Sequence, residues 1–314
     1  MRLVIVGAGA IGGTLGARLI QAGREVVLVA RGDHGAAIRA RGLRLEAPDG
    51  AIAVTANVVE RAADVAWRAA DVVLLCVKTQ QAHGAIAELA AVTSAPIACL
   101  TNGLEAERIA LRCFADVHGV CVYTPASYLE PGLVQQWSAP LRGLLDVGRY
   151  PRGATAIDTA LAEAFTVAGF GSEPRDDIMA YKRTKLLPNL TNALDAMLGV
   201  GGRGHPLGEA AQREAIAVYD AAGLSRAAHV DEDPRRKQMP RGEIAGAKRT
   251  GGSTWQSLAR GAHELETDYL NGEIALLGRL HGVPTPINDK LQRLAARFAR
   301  DGRAPGSLDP AELA

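Results

Sequence analysis

The chain has 314 residues, enough for two domains of ordinary size, and its 48% hydrophobic and 22% charged residues are those of a soluble globular protein. A formal net charge of +1 supplies no field to attract nucleic acid or a membrane surface, and no apolar run approaches the roughly 20 residues of a membrane span. Four cysteines (Cys76, Cys99, Cys113, Cys121) show no CxxC spacing, and the first residues run into a strand without a signal-peptide pattern. A cytoplasmic, reduced protein without a structural metal is expected.

Arg2–Val6 is a short apolar run that breaks at Gly7-Ala8-Gly9-Ala10-Ile11-Gly12. A periodic segment, Leu15 to Leu19, leads to Gly23, and a second apolar run, Val26–Val29, follows. The pattern reads as strand, glycine turn, helix, strand. In such a turn Gly7 allows a sharp bend, Gly9 allows the backbone to approach a pyrophosphate, and Gly12 allows the helix to pack on the strand. A helix opening near Ala10 points its N–H groups and positive dipole end at phosphates. Gly7 through Gly12 is therefore the candidate dinucleotide site; a glycine-rich turn with no ligand is the plainer alternative.

The second strand, Glu25 to Ala30, ends at Arg31. NAD-specific folds of the Rossmann type place an acidic residue there to bind the ribose 2′-hydroxyl. A guanidinium instead suits a phosphate, through paired charge-assisted hydrogen bonds, so NADP(H) is favoured over NAD(H), with Asp33 as a competitor. Leu43–Glu46, a turn at Pro48-Asp49-Gly50, and Ala51 to Thr55 suit a hairpin or an edge addition to the sheet. Asp71 to Val77 reads as a buried parallel strand with Lys78 at its C-terminal end, where ligands of open α/β sheets bind. Lys78 is placed to meet cofactor phosphate or ribose, or is simply solvated.

Ile97–Leu100 is a further strand, ending in the turn Thr101-Asn102-Gly103, on the same ligand side. A helix over Glu105–Cys113, a strand over Val117–Tyr123, a hairpin of Pro131–Val134 with Leu141–Val147, and a helix over Thr155–Ala168 complete the expected α/β half. After Pro174 nearly everything reads as helix. Ile178 to Leu198 carries Lys185, Asn189 and Asn192 at helical spacing on one face, among leucines, with Pro188 expected to kink the axis. Buried polar groups need partners, and a ligand can supply them.

Glu209–Ala222 reads as another helix. The basic stretch Asp231–Arg249 (Arg235, Arg236, Lys237, Arg241, Lys248, Arg249) reads as a solvated loop and helix face, or as an attractor of an anionic substrate. Ser253 or Thr254 is a candidate N-cap for a helix from about Leu258 to Leu280. On it His263, Glu266, Leu270 and Glu273 would lie near one face. Asn288 to Arg300 makes a last helix, and the tail from Asp301 is expected to be loosely attached.

Several separated motifs agree on one family. The GAGAIG turn at Gly7, Arg31 after strand two, and Val77-Lys78 after the next buried strand are joined by Asn102-Gly103. Lys185-Leu-Leu-x-Asn189, Glu266-x-Asp-x-x-Asn-Gly272 and Gly282-Val-Pro-Thr-Pro-x-Asn288 complete the set. In this order the sequence resembles the ketopantoate reductases (2-dehydropantoate 2-reductases) over most of its length. The resemblance implies an α/β fold: a Rossmann-type dinucleotide-binding domain over residues 1–172, a mostly α-helical substrate and catalytic domain over 173–302, and a tail over 303–314.

It further implies NADPH-dependent reduction of a small 2-keto acid, 2-dehydropantoate first among candidates. Lys185 would be the general acid, with Glu266 beside it as the second catalytic residue. Arg31 and Lys78 would favour NADP(H), and Asn102 would lie near both nicotinamide and substrate. Asn189, Asn192, Ser253 and Glu266 would position the substrate. The family pattern places a second asparagine four residues after Asn189; here that position is Ala193. No nucleic acid or membrane partner is expected, and a homodimer is the assembly to test. The alternatives are a related NADP(H) oxidoreductase acting on another keto acid, ketone or alcohol, and a non-catalytic NADP(H)-binding regulator.

Overall fold

The computed structural model describes every residue but Val200, His229, Val230, Asp231, Arg249, Thr250 and Ala314, and the backbone alone of Leu129. Two compact units emerge. One holds Met1–Thr101, Ala106–Met179 and Val230–Lys248; the other holds Asn102–Glu105, Ala180–His229 and Arg249–Ala314. Of the basic stretch, Asp231 and Arg249 lie outside the described residues.

The first unit is built on β1 (Arg2–Val6), β2 (Val26–Val29), β5 (Asn57–Val59), β6 (Asp71–Leu75), β7 (Ile97–Cys99), β8 (Val117–Tyr123) and β11 (Leu144–Arg149). These form one sheet in the order β11-β8-β7-β6-β1-β2-β5. All neighbours pair in parallel except β11, which runs antiparallel to β8 at the edge. Read through the parallel strands in chain order, the sheet is the dinucleotide-binding arrangement, with its switch point beside β1. Both faces are covered, which is why the strands are near-continuous apolar runs rather than alternating ones. Leu3 and Ile5 point to one core, and Val4 and Val6 to the other. The first core is closed by α1 (Ala10–Gln21) and α5 (Ala156–Val167), the second by α3 (Thr79–Ala90) and α4 (Glu105–Leu111).

Buried polar ties fix the sheet at two points. Arg2 reaches across from β1 to β6 and donates twice to Asp71, at 2.7 and 2.6 Å. Burial works against ionisation of Asp71, but the Arg2 guanidinium and the Arg68 amide outweigh it and hold its pKa below the usual carboxylate value. On β8, fully buried His118 pairs through Nδ1 with Asp158 at 2.7 Å; Asp158 also accepts from Thr155 in a capping box that starts α5.

The segment Leu43–Val54 does form a hairpin, β3 (Leu43–Ala47) with β4 (Gly50–Val54), but not as an edge of the main sheet. It belongs to a separate sheet, β4-β3-β10-β9, with β9 at Ala126–Glu130 and β10 at Leu133–Gln136. The hairpin expected between Leu133–Val134 and Leu141–Val147 is not made. β10 pairs backwards with β9 and in parallel with β3, whereas β11 joins β8 in the large sheet. Buried Val134 seats β10 against α1, while β11 buries Leu144, Leu145 and Val147 in the main core. Burial on two different sheets separates two segments that are close in sequence.

The basic stretch is neither plainly solvated nor all open to a ligand. Arg235 donates to Asp146 of β11 at 2.9 and 2.8 Å and to Asp233 at 2.6 Å, whereas Arg241 joins Ser138 only through its backbone and keeps its side chain exposed.

The second unit is helical: most of α6 (Ile178–Asn189), then α7 (Asn192–Leu198), α8 (Pro206–Ala221), α9 (Ser253–Ala259), α10 (Asn271–His281) and α11 (Pro286–Arg300). Two expected long helices are broken. The Ile178–Leu198 helix stops at Asn189 because Pro188 lacks an N–H and cannot carry the ladder through. There the Leu190 amide is shared between the carbonyls of Leu186 and Leu187, and Thr191 Oγ1 donates to Pro188 O at 2.8 Å. The Leu258–Leu280 helix is cut at Gly261, whose φ of 72° is left-handed; its N–H and that of Ala262 turn back onto Leu258 and Ser257. Residues 266–269 then form one 3-10 turn before α10 begins.

The tail is docked rather than loose. Leu308 and Leu313 are buried, and the amides of Gly306 and Leu308 donate to Ala196 and Met197. Among the described residues no helix is long and apolar enough to cross a membrane, and no three His, Cys, Asp or Glu side chains are grouped to hold a metal ion.

Candidate active site

The glycine turn joins β1 to α1 within the first unit. Gly7 sits at φ 95°, a conformation that a side chain would strain. A Cβ on Gly12 would collide with the Gly7 carbonyl and lie 2.8 Å from Cys76 Cβ, so that glycine is required by close helix–strand contact. Burial pushes the Cys76 thiol up, which leaves it a protonated packing group. At Gly9 the situation is opposite: a Cβ there would meet nothing within 4 Å, and no side chain caps the α1 N-terminus that Gly9 begins. An uncapped twelve-residue helix with open space before it fits the pyrophosphate of a dinucleotide. Ala8, Ala10 and Ile11 complete the turn.

Arg31 ends the link from β2 and stands at the N-cap of α2 (Gly32–Arg41). Its side chain is 68% exposed and only 4.0 Å from Glu88, a solvated pair that holds the guanidinium weakly. Asp33 lies in the first turn of the same helix. Lys78 occupies the N-cap position of α3, directly after β6.

In the second unit, Lys185 on α6 and Asn102 in the turn after β7 come together: Lys185 Nζ donates to Asn102 Oδ1 at 2.5 Å. The Asn102-Gly103 turn is a real one, with Gly103 at φ 74°. Asn189 ends α6 one turn beyond Lys185. Asn192 lies on a separate helix. It is the first residue of α7, after the Pro188 break, and is 6% exposed.

Glu266 is 6% exposed and opens the 3-10 turn that precedes α10 instead of riding a long helix. Ser253 is the first residue of α9, and the N-cap is Gly252, not Ser253 or Thr254. The Gly252 amide is taken by Asp195 Oδ2 at 3.1 Å, and the same carboxylate oxygen accepts from Arg203 at 3.2 Å.

Three groups to which the sequence assigned no role support this half. Asn271 donates to Leu190 O and to Asn288 Oδ1, and Asn288 donates to Glu214 at 2.7 Å. Glu214 also accepts the amides of Ile287 and Asn288 at the start of α11. Asn271 and Asn288 each belong to a quoted motif, but nothing local in the sequence names their partners.

Comparison with known proteins gives a consistent result. Residues 3–151 match the family model described as ketopantoate reductase PanE/ApbA, and residues 177–299 match that of its C-terminal part. The chain is 30% identical to a 2-dehydropantoate 2-reductase of Mesorhizobium japonicum, over 95% of this chain and 98% of that one. It is 26% identical to that of Pyrococcus horikoshii, over 92% and 94%. Among solved structures, a PanE/ApbA family ketopantoate reductase of Ralstonia eutropha superposes with a TM-score of 0.78 at 32% identity, covering 96% of this chain and 99% of the other. A D-mandelate dehydrogenase with NADH and anilino(oxo)acetate shares the fold, with a TM-score of 0.80 at 23% identity over 97% and 100%.

Proposed function

Since the chain belongs to the ketopantoate reductase family, an oxidoreductase family that uses a nicotinamide dinucleotide, we propose that it reduces 2-dehydropantoate to pantoate with NADPH. The observation that carries the reading is the 2.5 Å hydrogen bond from Lys185 to Asn102. The amide oxygen fixes where the lysine ammonium sits, and a sensor that only binds has no need of a proton donor.

A reduced nicotinamide, when bound, supplies the hydride to the keto carbon. As the C=O bond breaks to a single bond, negative charge grows on its oxygen. Lys185 stabilises that charge and gives up one proton to it, ending as the neutral amine. Asn102 holds the amine in place. Glu266, Asn189, Asn192 and Ser253 bind the polar arms of the substrate and set which carbon is presented. Gly7 through Gly12 take the pyrophosphate, and Arg31 and Lys78 read the 2′-phosphate. Arg31 is suited to this because its exposed pair with Glu88 can be exchanged for a phosphate at small cost.

A second reading keeps this chemistry and changes the keto acid. It is favoured by Ala193, which stands where the family pattern places a second asparagine. The deciding experiment is NADPH oxidation over a panel of 2-keto acids. The highest kcat/KM is expected with 2-dehydropantoate. Turnover of another 2-keto acid with none of 2-dehydropantoate would replace the substrate and keep the proton donor.

A further inference from the structure

Three parts of the first unit meet at one imidazole. His34, on the first turn of α2, is 8% exposed. Its Nε2 lies 2.8 Å from the Ala8 carbonyl oxygen, and the Gly132 amide donates to its Nδ1 at 2.9 Å. A carbonyl can only accept and an amide N–H can only donate. The two bonds together therefore require the neutral ring with its proton on Nε2. Burial pushes the pKa of His34 below the usual histidine value, which keeps that form at neutral pH. The ring also packs against Tyr128, centroid to centroid at 4.4 Å. Gly132 is itself anchored, since its carbonyl accepts the Arg44 amide of β3 at 3.0 Å.

Ala8 is the middle residue of Gly7-Ala8-Gly9. Its carbonyl and the Gly9 N–H belong to one planar trans peptide and point in opposite directions. Holding the carbonyl thus fixes the direction of the Gly9 N–H. Glycine accepts either sign of φ, so without an anchor this peptide could rotate at little steric cost and turn an oxygen where an N–H belongs.

We propose that His34 is a positioning residue for the dinucleotide: by tethering the Ala8 carbonyl to the anchored Gly132 turn, it keeps the Gly9 N–H aimed outward for the pyrophosphate. The proposal rests on the reading that Gly7 through Gly12 bind the cofactor.

Two substitutions divide the ring's two bonds. H34Q keeps a donor where Nε2 stood, and H34N keeps an acceptor where Nδ1 stood. Dissociation constants for NADPH are measured by fluorescence titration, beside thermal melting of each ligand-free protein and kcat at saturating NADPH. H34N is expected to bind NADPH about tenfold more weakly, with kcat within twofold of wild type, whereas H34Q stays within about threefold in affinity. H34L, which lacks both groups, is expected to weaken like H34N and serves if H34N does not fold. An H34N or H34L affinity equal to wild type overturns the proposal. So do equal losses in H34N and H34Q that follow their melting temperatures. A wild-type protein that binds neither NADPH nor NADH would overturn the parent reading, and the proposal with it.

Discussion

The side-chain amide of Asn271 donates to the main-chain carbonyl of Leu190 at 3.2 Å, across 81 residues of sequence. That carbonyl lies in the break between α6 and α7, where Pro188 has removed a rung of the ladder. The start of α10 thereby braces the end of the helix that carries Lys185. Asn271→Leu should withdraw a donor from both Leu190 and Asn288 in a closed interior. We expect a loss of about 2 kcal/mol of stability, read by urea denaturation. Faster amide hydrogen exchange in residues 186–192 should accompany it. Unchanged stability and exchange would show that the brace is idle.

Lys185→Ala should lower kcat by about 10²–10⁴-fold, the span usual for loss of a general acid. NADPH affinity should stay within about twofold, because the glycine turn belongs to the other unit. Stopped-flow measurement of single-turnover NADPH oxidation separates the two. A variant that turns over like wild type would remove this lysine from the chemistry.

Arg31→Ala should weaken NADPH binding about tenfold and leave NADH binding nearly unchanged, since only NADPH offers a 2′-phosphate to the guanidinium. Titration with both dinucleotides checks it. Parallel losses would assign Arg31 a role common to both.

The Arg2–Asp71 pair makes stability acid-dependent in a definite direction. The pKa of Asp71 is lower in the folded protein than in the unfolded chain, so the folded state gains from ionised Asp71. That gain is full above the unfolded value of about 3.9 and disappears as pH falls through the folded value. Asp71→Asn should cost about 3 kcal/mol at pH 7 by stranding Arg2. Its melting temperature should also fall less steeply than wild type below about pH 4. Melting curves from pH 2 to 7 for both proteins test the difference in slope.

Much of the fold was legible because its signals are local. The apolar runs at Leu3, Val72 and Ile97 each became strands of the main sheet, and Gly7 through Gly12 turned where a turn was expected. The α/β fold class and the family both stand. Where reading failed, the deciding partner was distant. Nothing near Leu133 says that β10 will pair with β3, almost ninety residues earlier, rather than with the strand that follows it. Pro188 signalled a kink, but how the break would be healed depended on Asn271. Nothing local marks His34, since its two partners, Ala8 and Gly132, come from other parts of the chain.

The first compact unit is not one stretch of chain. After Met179 the polypeptide builds helices of the second unit, and only then returns with the segment that carries Arg235 and Arg241. During synthesis the large sheet can assemble early with Arg175 beside Asp146, yet the second guanidinium, that of Arg235, arrives only after tens more residues are added. At about 5–20 residues per second that interval is on the order of several seconds. Through it a nascent sheet edge carries a carboxylate with only one of its two arginine partners. Truncation after Met179 would make that interval permanent, so a fragment cut there should be less stable than the intact unit.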